Sequence, residues 1–275
     1  MNCAAPRADG HPAFAPYACW LKRCPEGALP EHRLLNAWAR EASLALPDGR
    51  PLSFVEPPPR RLSALAYERR IAEGAEIVTR SGSLHDFCNA LAWLLFPRAK
   101  AALNAMHVDA LHSRQPQGRG SVRDAATLLD ESGVLFACVD AKLLERWHAH
   151  AWREAFWDAR EADALPARAL VIGHGLLAKC VAPFRAVTAK ALVLPCAAVD
   201  VPPESPELSA ALDAVAAAHL AALGPGLSPR TLLPLPIAAL PGWDIEHLGL
   251  RLFDDVTVFR SRRSRNRPSA DLVLR

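Results

Sequence analysis

The chain has 275 residues and a formal net charge of +3 at pH 7, with 51% hydrophobic and 22% charged residues. This composition is ordinary for a soluble globular protein, and so mild a positive charge does not by itself imply nucleic-acid binding. No apolar run approaches the ~20 residues that cross a bilayer, and the N-terminus lacks the features of a secretory signal. We therefore expect a cytoplasmic protein without a membrane span.

The seven cysteines are scattered along the chain and form no C-x-x-C pair. That pattern argues against a disulfide framework and a structural zinc knuckle, so most thiols should be reduced and buried. Cys88 lies three residues after His85, within reach of the imidazole, which would suit an activated thiol. Because it shares a helix side with Leu84 and Leu91, we predict a buried and inert sulfur.

In the N-terminal part, "PEHRLLNAWAREASLAL" predicts an amphipathic helix, and "ALAYERRIAEGAEIVTR" predicts another that is interrupted at Gly74. Between them, the three consecutive prolines of "FVEPPPRRL" favour an extended connector. We expect a single domain over residues 1–275, with residues 1–30 and 261–275 as flexible ends.

The central stretch "SGSLHDFCNALAWLLFPRAKAALNAMH" predicts two helices separated at Phe96 and Pro97. Ser83 suits an N-cap, and Asp86 three residues later completes a pattern that resembles a capping box. The second helix should cover about residues 99–112, close to the first because the link is short.

Further along the chain, "DAATLLDESGVLFACVD" predicts a helix and then a strand, although "DESG" also suits a hairpin turn. We expect one helix in "LLERWHAHAWREAFW", a strand, turn and helix in "ALVIGHGLLAK", and strands in "KALVLPCAAV" and "VTVF". The clearest helix is "SPELSAALDAVAAAHLAAL". The predicted fold class is α+β, a helix-rich single domain with a small β-sheet and irregular proline-rich connections.

Each of the two central helices has a polar stripe among apolar residues. On the first helix, His85 and Asn89 share one face and Asp86 borders it; the second helix carries Lys100, Asn104 and His107. If the stripes face each other, their side chains converge within hydrogen-bond or metal-ligand reach. The positive end of the helix dipole should keep His85 neutral, the form that binds metals.

A purely structural interpretation of these stripes stays open. Asp86 could only cap its helix, the asparagines could tie helix to loop, and Lys100 could extend its ammonium group to solvent. Buried polar networks commonly specify packing.

Further candidates lie downstream, at Arg123, Asp124 and the Asp130-Glu131 pair, which suits a divalent cation or acid–base chemistry but which we favour as turn residues. A strand-to-helix turn between two glycines should point His174 outward. Motifs for phosphate loops, dinucleotide binding, serine hydrolases and zincins are absent. The terminal arginines favour a solvated tail, or alternatively contact an anion: Arg260, Arg262, Arg263, Arg265 and Arg267.

Taken in order, "LHDFCNALAWLLFPRAKAALNAMH", "RDAATLLDESG", "GHGLLAK", "LPLPIAALPGW" and "FDDVTVFR" resemble an uncharacterised, mainly proteobacterial family, domain of unknown function thirty twenty-five. The resemblance implies a cytosolic bacterial protein and assigns no activity. Gly175 stands where the family usually has alanine, and Ala99 and Leu129 also depart from its pattern; we expect these differences to affect packing. The pattern falls on His85, Asn89, Phe96, Pro97, Arg98, Lys100, Asn104, His107, Arg123, Asp124, Asp130, Glu131, His174 and Trp243.

Our hypothesis is a metal-assisted hydrolase of a phosphoester or amide with a divalent cation as cofactor. The predicted catalytic residues are His85, Asp86, Asn89, Asn104, His107 and His174. The predicted metal ligands are His85, His107 and Asp130, and the predicted anion-binding residues are Arg98, Lys100 and Arg123. The alternative is a non-catalytic module that binds a protein or nucleic acid through its arginine-rich C-terminus.

Overall fold

The computed structural model describes residues 4–112, 119–158, 167–196, 202 and 205–261. The helices in these ranges are α1 (Ala18–Leu21), α2 (His32–Glu41), α3 (Ala64–Gly74), α4 (Leu84–Leu95), α5 (Pro97–His112), α6 (Arg119–Ser132), α7 (Ala141–His148), α8 (Trp152–Phe156), α9 (His174–Lys179) and α10 (Pro206–Leu223). The strands are β1 (Ser53–Val55), β2 (Glu76–Val78), β3 (Gly133–Cys138), β4 (Ala167–Val171), β5 (Thr188–Leu194) and β6 (Leu233–Pro236). The predicted α+β class is confirmed.

The larger sheet has four strands in the order β4-β3-β5-β6. Strand β3 is fully buried and lies at the centre, parallel to β5 and antiparallel to β4. Strand β6 pairs antiparallel to β5, and β1 and β2 form a separate parallel pair. A parallel neighbour on one side and an antiparallel one on the other make this a mixed sheet, with helices covering its apolar residues.

The end of α6, the start of β3 and the start of α9 meet at two glycines. A Cβ on Gly133 would lie 2.2 Å from the Leu129 carbonyl oxygen, and one on Gly173 would lie 2.2 Å from the Gly133 nitrogen. The Gly133 carbonyl also accepts hydrogen bonds from the amides of Ile172 and Gly173. Only glycine permits so close an approach, and it places the first residue of α9 beside the last turns of α6.

The predicted break between the two central helices is confirmed. Helix α4 begins after Ser83, whose hydroxyl accepts from the Asp86 amide, and α5 begins at Pro97. The buried carboxylate of Asp213 in α10 accepts hydrogen bonds from the amides of Arg98 and Ala99 at 3.1 and 2.8 Å. The first turn of α5 is therefore capped by a distant helix rather than by its own sequence.

Replacing Asp213 with alanine should lower the free energy of unfolding by about 2 kcal/mol, because two buried amides lose their acceptor. Urea unfolding of the variant and the native chain measures this difference.

Burial raises the pKa of Asp213 from 3.8 to about 6, so the folded chain binds its proton more tightly than the unfolded chain. The contribution of Asp213 to the free energy of unfolding therefore falls as the pH rises from 3.8 to about 6. Asp213→Asn should abolish this pH dependence of the free energy of unfolding. An unchanged pH dependence would show that Asp213 is not the titrating group.

Two predicted elements are wrong. The segment "VTVF" forms a turn, whereas the fourth strand of the larger sheet is β6, with sequence "LPLP". Prolines lack the amide that a central strand needs, but β6 lies at the sheet edge, where proline is tolerated. The single helix expected in "LLERWHAHAWREAFW" is divided into α7 and α8, since His150 adopts a positive φ of 59°.

The prediction that no apolar stretch is long enough for a membrane span also needs correction. The segment Pro206–Gly226 is long and apolar enough by length and composition alone. The core helix of a soluble protein passes the same test, and Leu212, Ala216 and Leu220 of this helix are buried in the fold. One such helix is weak evidence for a membrane.

The N-terminal segment packs onto the core. A 3-10 helix, Pro12–Tyr17, buries Phe14 and Tyr17, and the Tyr17 hydroxyl donates to the Val171 carbonyl of β4. The predicted flexible C-terminus is residues 261–275, of which only Ser261 is among the described residues.

Candidate functional site

Three helix ends converge to form the candidate site. His85 lies in the first turn of α4, Asp130 and Glu131 lie in the last turn of α6, and His174 is the first residue of α9. Helix α9 packs against both α4 and α6. The glycine contact at the start of β3 fixes α9 against α6, which brings residues distant in sequence within a few ångströms of each other.

The Glu131 carboxylate lies between two imidazole rings. Its Oε2 is 3.5 Å from Nε2 of His85, and its Oε1 is 3.5 Å from Nε2 of His174. The two rings meet edge to face with centroids 4.4 Å apart. One ligand atom from each of the three residues lies within 4.8 Å of the other two. This is a donor set of two nitrogens and one carboxylate, typical of zinc and related divalent cations.

Each imidazole has a second carboxylate beside its other nitrogen. His85 Nδ1 lies 3.4 Å from Asp86, and His174 Nδ1 lies 3.6 Å from Asp130. The His174 Nδ1 is buried and has no hydrogen-bond partner at that distance. Carboxylates in this position commonly orient metal-binding histidines and fix their tautomer.

Two cations hold these outer carboxylates. Arg80 donates to both oxygens of Asp86 through its guanidinium and to one of them through its backbone amide. The Lys100 ammonium donates to Asp130 and also to the Asn89 carbonyl oxygen, at 2.9 Å for the latter. Because Arg80 and Lys100 are each paired with one carboxylate, Glu131 has only the two histidines as direct ion-pair partners among the described residues.

A buried polar network supports the floor of the site. Lys100 is only 3% exposed, so the interpretation that its ammonium extends to solvent is wrong. The Asn89 amide donates to the Tyr67 hydroxyl, and burial raises the pKa of that phenol. Asn104 donates to the Glu68 carboxylate at 2.7 Å and to its backbone carbonyl at 3.0 Å. The two asparagines thus join the central helices to α3.

The site opens into a cavity of about 490 Å³. The residues around it come from the proline-rich connector, strand β2 with the loop after it, and helices α3, α4, α5, α6 and α9. The polar members are Arg60, Arg61, Ser63, Tyr67, Glu68, Arg80, His85, Asp86, Asn89, His107, Arg123, Thr127, Asp130, Glu131 and His174. A space of this size accommodates a small organic molecule.

The expectation that the helix dipole keeps His85 neutral is wrong. Hydrogen bonding to Asp86 and then to Glu131 raises the pKa of His85 to about 9. The bonds from His174 and His85 in turn hold the pKa of Glu131 well below its usual range. Two adjacent carboxylates outweigh the partial charge of a helix end, so without a metal the ring carries a proton at neutral pH.

The structure brings most of the predicted site residues to one cavity. These are His85, Asp86, Asn89, His107, Arg123, Asp130 and His174. Glu131, which the sequence favoured as a turn residue, lines the same cavity. Lys100 and Asn104 lie beneath it, beside a much smaller space that His107 also borders. Arg98 and Asp124 are exposed and are not among the cavity residues.

Two predictions about orientation are wrong. The Asp130-Glu131 pair lies within α6 rather than in a turn. His174 is 6% exposed and points into the site rather than outward.

The predicted metal set joined His85 to His107 and Asp130, whereas the structure groups His85 with Glu131 and His174. Burial lowers the pKa of His107, which stays neutral at the cavity wall.

Sequence reasoning missed several residues of the N-terminal part. Glu68, Arg60 and Arg61 line the cavity, and Arg80 holds Asp86. Burial raises the pKa of Glu68 to about 7, which suits a group that exchanges protons near neutral pH. For Arg60 and Arg61, the sequence signal that could have indicated a site is their position directly after three prolines, since a rigid connector can hold charges in place.

The arginine tail lies mostly outside the described residues, and so do Arg262, Arg263, Arg265 and Arg267. Arg260 is placed, and its carbonyl accepts from the indole nitrogen of Trp152 at 2.9 Å. Cys88 is fully buried, as predicted.

A family model described as "Protein of unknown function (DUF3025)" matches residues 52–263. Comparison with curated proteins found no match, and comparison with solved structures found none either. The matched range contains every residue of the cavity.

Proposed function

This chain belongs to the DUF3025 family, whose description names no reaction, and we propose from the residues of its site that it is a metal-assisted hydrolase. His85, Glu131 and His174 hold one divalent cation at the base of the cavity. The observation that carries the proposal is the mutual closeness of three ligand atoms of metal-binding type.

The distances fit a small divalent cation. Ligands at about 2.05 Å from a tetrahedral zinc are separated by about 3.4 Å. The Glu131 carboxylate is 3.5 Å from each histidine through a different oxygen, and one ligand atom from each of the three residues lies within 4.8 Å of the other two. Three protein ligands leave the fourth position of such an ion open to water, as in catalytic zinc sites. The three residues that would hold the ion line a cavity large enough for a substrate.

The surroundings of the two histidines support the same proposal. Asp86 and Asp130 lie beside the nitrogens that point away from Glu131, where a carboxylate strengthens a histidine ligand. A bound cation also replaces the proton that His85 otherwise carries as the counter-charge of Glu131.

The chemistry follows from the open position. A divalent cation held by His85, Glu131 and His174 would supply a water that ionises near neutral pH and serves as the nucleophile. Glu68 lines the same cavity and, with its pKa near neutrality, accepts or returns the proton of that water. Asn104 fixes the Glu68 carboxylate from behind.

We also place the protein in the bacterial cytoplasm. Cys19, Cys24, Cys138 and Cys180 are thiols rather than disulfide partners, which suits a reducing compartment. Burial raises the pKa of Cys180 to about 12, so this thiol is inert toward oxidants.

Metal analysis tests the proposal directly. We expect close to one Zn²⁺, Mn²⁺ or Fe²⁺ per chain in protein purified without chelator, and restoration of the same stoichiometry when the stripped protein is titrated. Binding should release protons, seen as a buffer-dependent heat in calorimetry. Metal-free protein that binds none of the three ions would overturn the proposal.

Adding one methyl group to Gly175 should weaken metal binding. A Cβ at this position would lie 2.4 Å from Oε2 of Glu131, so Gly175→Ala displaces the carboxylate from between the histidines. We expect about 10- to 100-fold weaker affinity in a metal titration. Gly226→Ala is the matched control, because a Cβ there meets nothing within 4 Å. Equal affinities for the two variants would contradict the placement of Glu131. The expectation that this departure from the family pattern affects packing more than the polar residues stays a prediction, and the same titration tests it.

A further inference from the structure

We propose that Arg60, Arg61 and Arg123 bind the phosphate group of the substrate, so that the reaction is hydrolysis of a phosphate monoester. This inference rests on the proposed hydrolase function and names its substrate class. The three arginines line the same cavity as the metal ligands but come from two separate elements, the connector after β1 and helix α6.

The three arginines differ from the fourth arginine of the cavity in their partners. Arg80 is committed to Asp86 by two guanidinium hydrogen bonds. Arg60, Arg61 and Arg123 are exposed, and no carboxylate of the described residues forms an ion pair with them. Some arginines of the described chain, such as Arg23 and Arg185, pair with nearby acids, whereas Arg98 outside the cavity forms no ion pair either. The feature that distinguishes the three is that they line one cavity. Three unpaired guanidinium groups around one cavity favour an anionic ligand.

The charge balance of the cavity favours the same ligand. Its lining contains four arginines and the four acidic residues Glu68, Asp86, Asp130 and Glu131. These formal charges cancel, and Lys100 beneath the cavity adds one positive charge through its pairing with Asp130. A divalent cation therefore leaves an excess of about three positive charges. A phosphate monoester carries about −1.5 to −2 at neutral pH, whereas an amide substrate carries no charge at the reacting group. The phosphate therefore offsets most of the excess positive charge of the loaded cavity.

The position of the connector suits a phosphate clamp. Pro57 and Pro58 line the cavity immediately before Arg60 and Arg61, and consecutive prolines favour an extended chain with few alternative conformations. Arg60 and Arg61 thus line the cavity from a stiff segment, and Arg123 lines it from α6. Such convergence lowers the conformational entropy that is lost when the anion binds.

The reaction balances without a further co-reactant. Water adds to phosphorus, the ester P–O bond breaks with its electron pair going to the alkoxide oxygen, and that oxygen takes one proton from the water. The products are the alcohol and hydrogen phosphate. The arginines stabilise the charge on the equatorial oxygens of the transition state.

Calorimetry with inorganic phosphate, run on metal-free and Zn²⁺-loaded protein, tests the inference. We expect Arg60→Gln/Arg61→Gln and Arg123→Gln each to weaken phosphate binding by about tenfold or more. The control is Arg98→Gln, which removes an exposed arginine outside the cavity. This variant should bind phosphate with the affinity of the native chain. Native-like phosphate affinity in both cavity variants, or no phosphate binding by the native chain, would overturn the inference.

Hydrolysis assays separate the two proposals. Zn²⁺-loaded protein should release nitrophenolate from p-nitrophenyl phosphate and leave p-nitroacetanilide intact, and the arginine variants should lower kcat/KM by the same factor as they lower phosphate affinity. Cleavage of the anilide alone would overturn the phosphate assignment and leave the hydrolase standing. If no metal binds but phosphate binding still requires the arginines, the hydrolase proposal fails and the anion site is supported.

Discussion

Replacing Glu131 with glutamine should reduce the metal content of the purified chain from one ion to nearly none. The amide keeps the size of the side chain but removes the charge between the two imidazole rings, each of which lies 3.5 Å from it. Asparagine and glutamine oxygens are poor ligands for zinc, so we expect at least a 100-fold loss of affinity. Elemental analysis and metal titration measure both effects.

A matched control lies on the same helix. Asp124 is an exposed acid of α6 outside the cavity, and Asp124→Asn should keep the native metal content. In metal-free protein, Glu131→Gln should also lower the pKa of His85 from about 9, because Glu131 contributes to raising it. A histidine titration by NMR detects this change. Native metal affinity in the Glu131 variant would remove this residue from the site.

Replacing Lys100 with methionine should lower the free energy of unfolding by about 3–5 kcal/mol. The ammonium is 3% exposed and is paired with Asp130, so its removal leaves a charge in the interior without compensation. It also removes the donor to Asn89 and the cation that lies 5.5 Å from the Trp93 ring centroid. Urea unfolding at neutral pH measures the loss.

The comparison is an exposed ion pair. Arg69 contacts Glu73 one turn later on α3, and Arg69→Met should cost only about 0.3–0.5 kcal/mol. Adding Asp130→Leu to Lys100→Met should restore part of the lost stability, because both buried charges are then gone. A Lys100 variant as stable as the Arg69 variant would show that the buried pair does not hold α5 to α6.

The helices that could be predicted have strong local signals. Pro97 forbids continuation of α4, Ser83 caps it, and the Gly224-Pro225 pair ends α10 near the predicted position. Strand β6 could not be predicted, since its prolines are tolerated only at a sheet edge and the edge is a tertiary feature.

The residue types of the site could be predicted, but their pairing could not. Helical spacing placed His85 and Asn89 on one face, and both line the cavity. The partners of His85 depend on how α6 and α9 pack, which no local pattern records. The charge of His85 was mispredicted for the same reason, because its local dipole was known and its carboxylate neighbours were not.

The carbonyl oxygen of Gly133 accepts hydrogen bonds from the amides of both Ile172 and Gly173. These bonds join the first residue of the central strand β3 to the residue before His174, so opening of that strand end separates the imidazole from Glu131 in one event. Hydrogen exchange at the two amides should therefore slow when the cation binds, because ligation closes the fluctuation that exposes them. Their protection factors report occupancy of the site without any substrate.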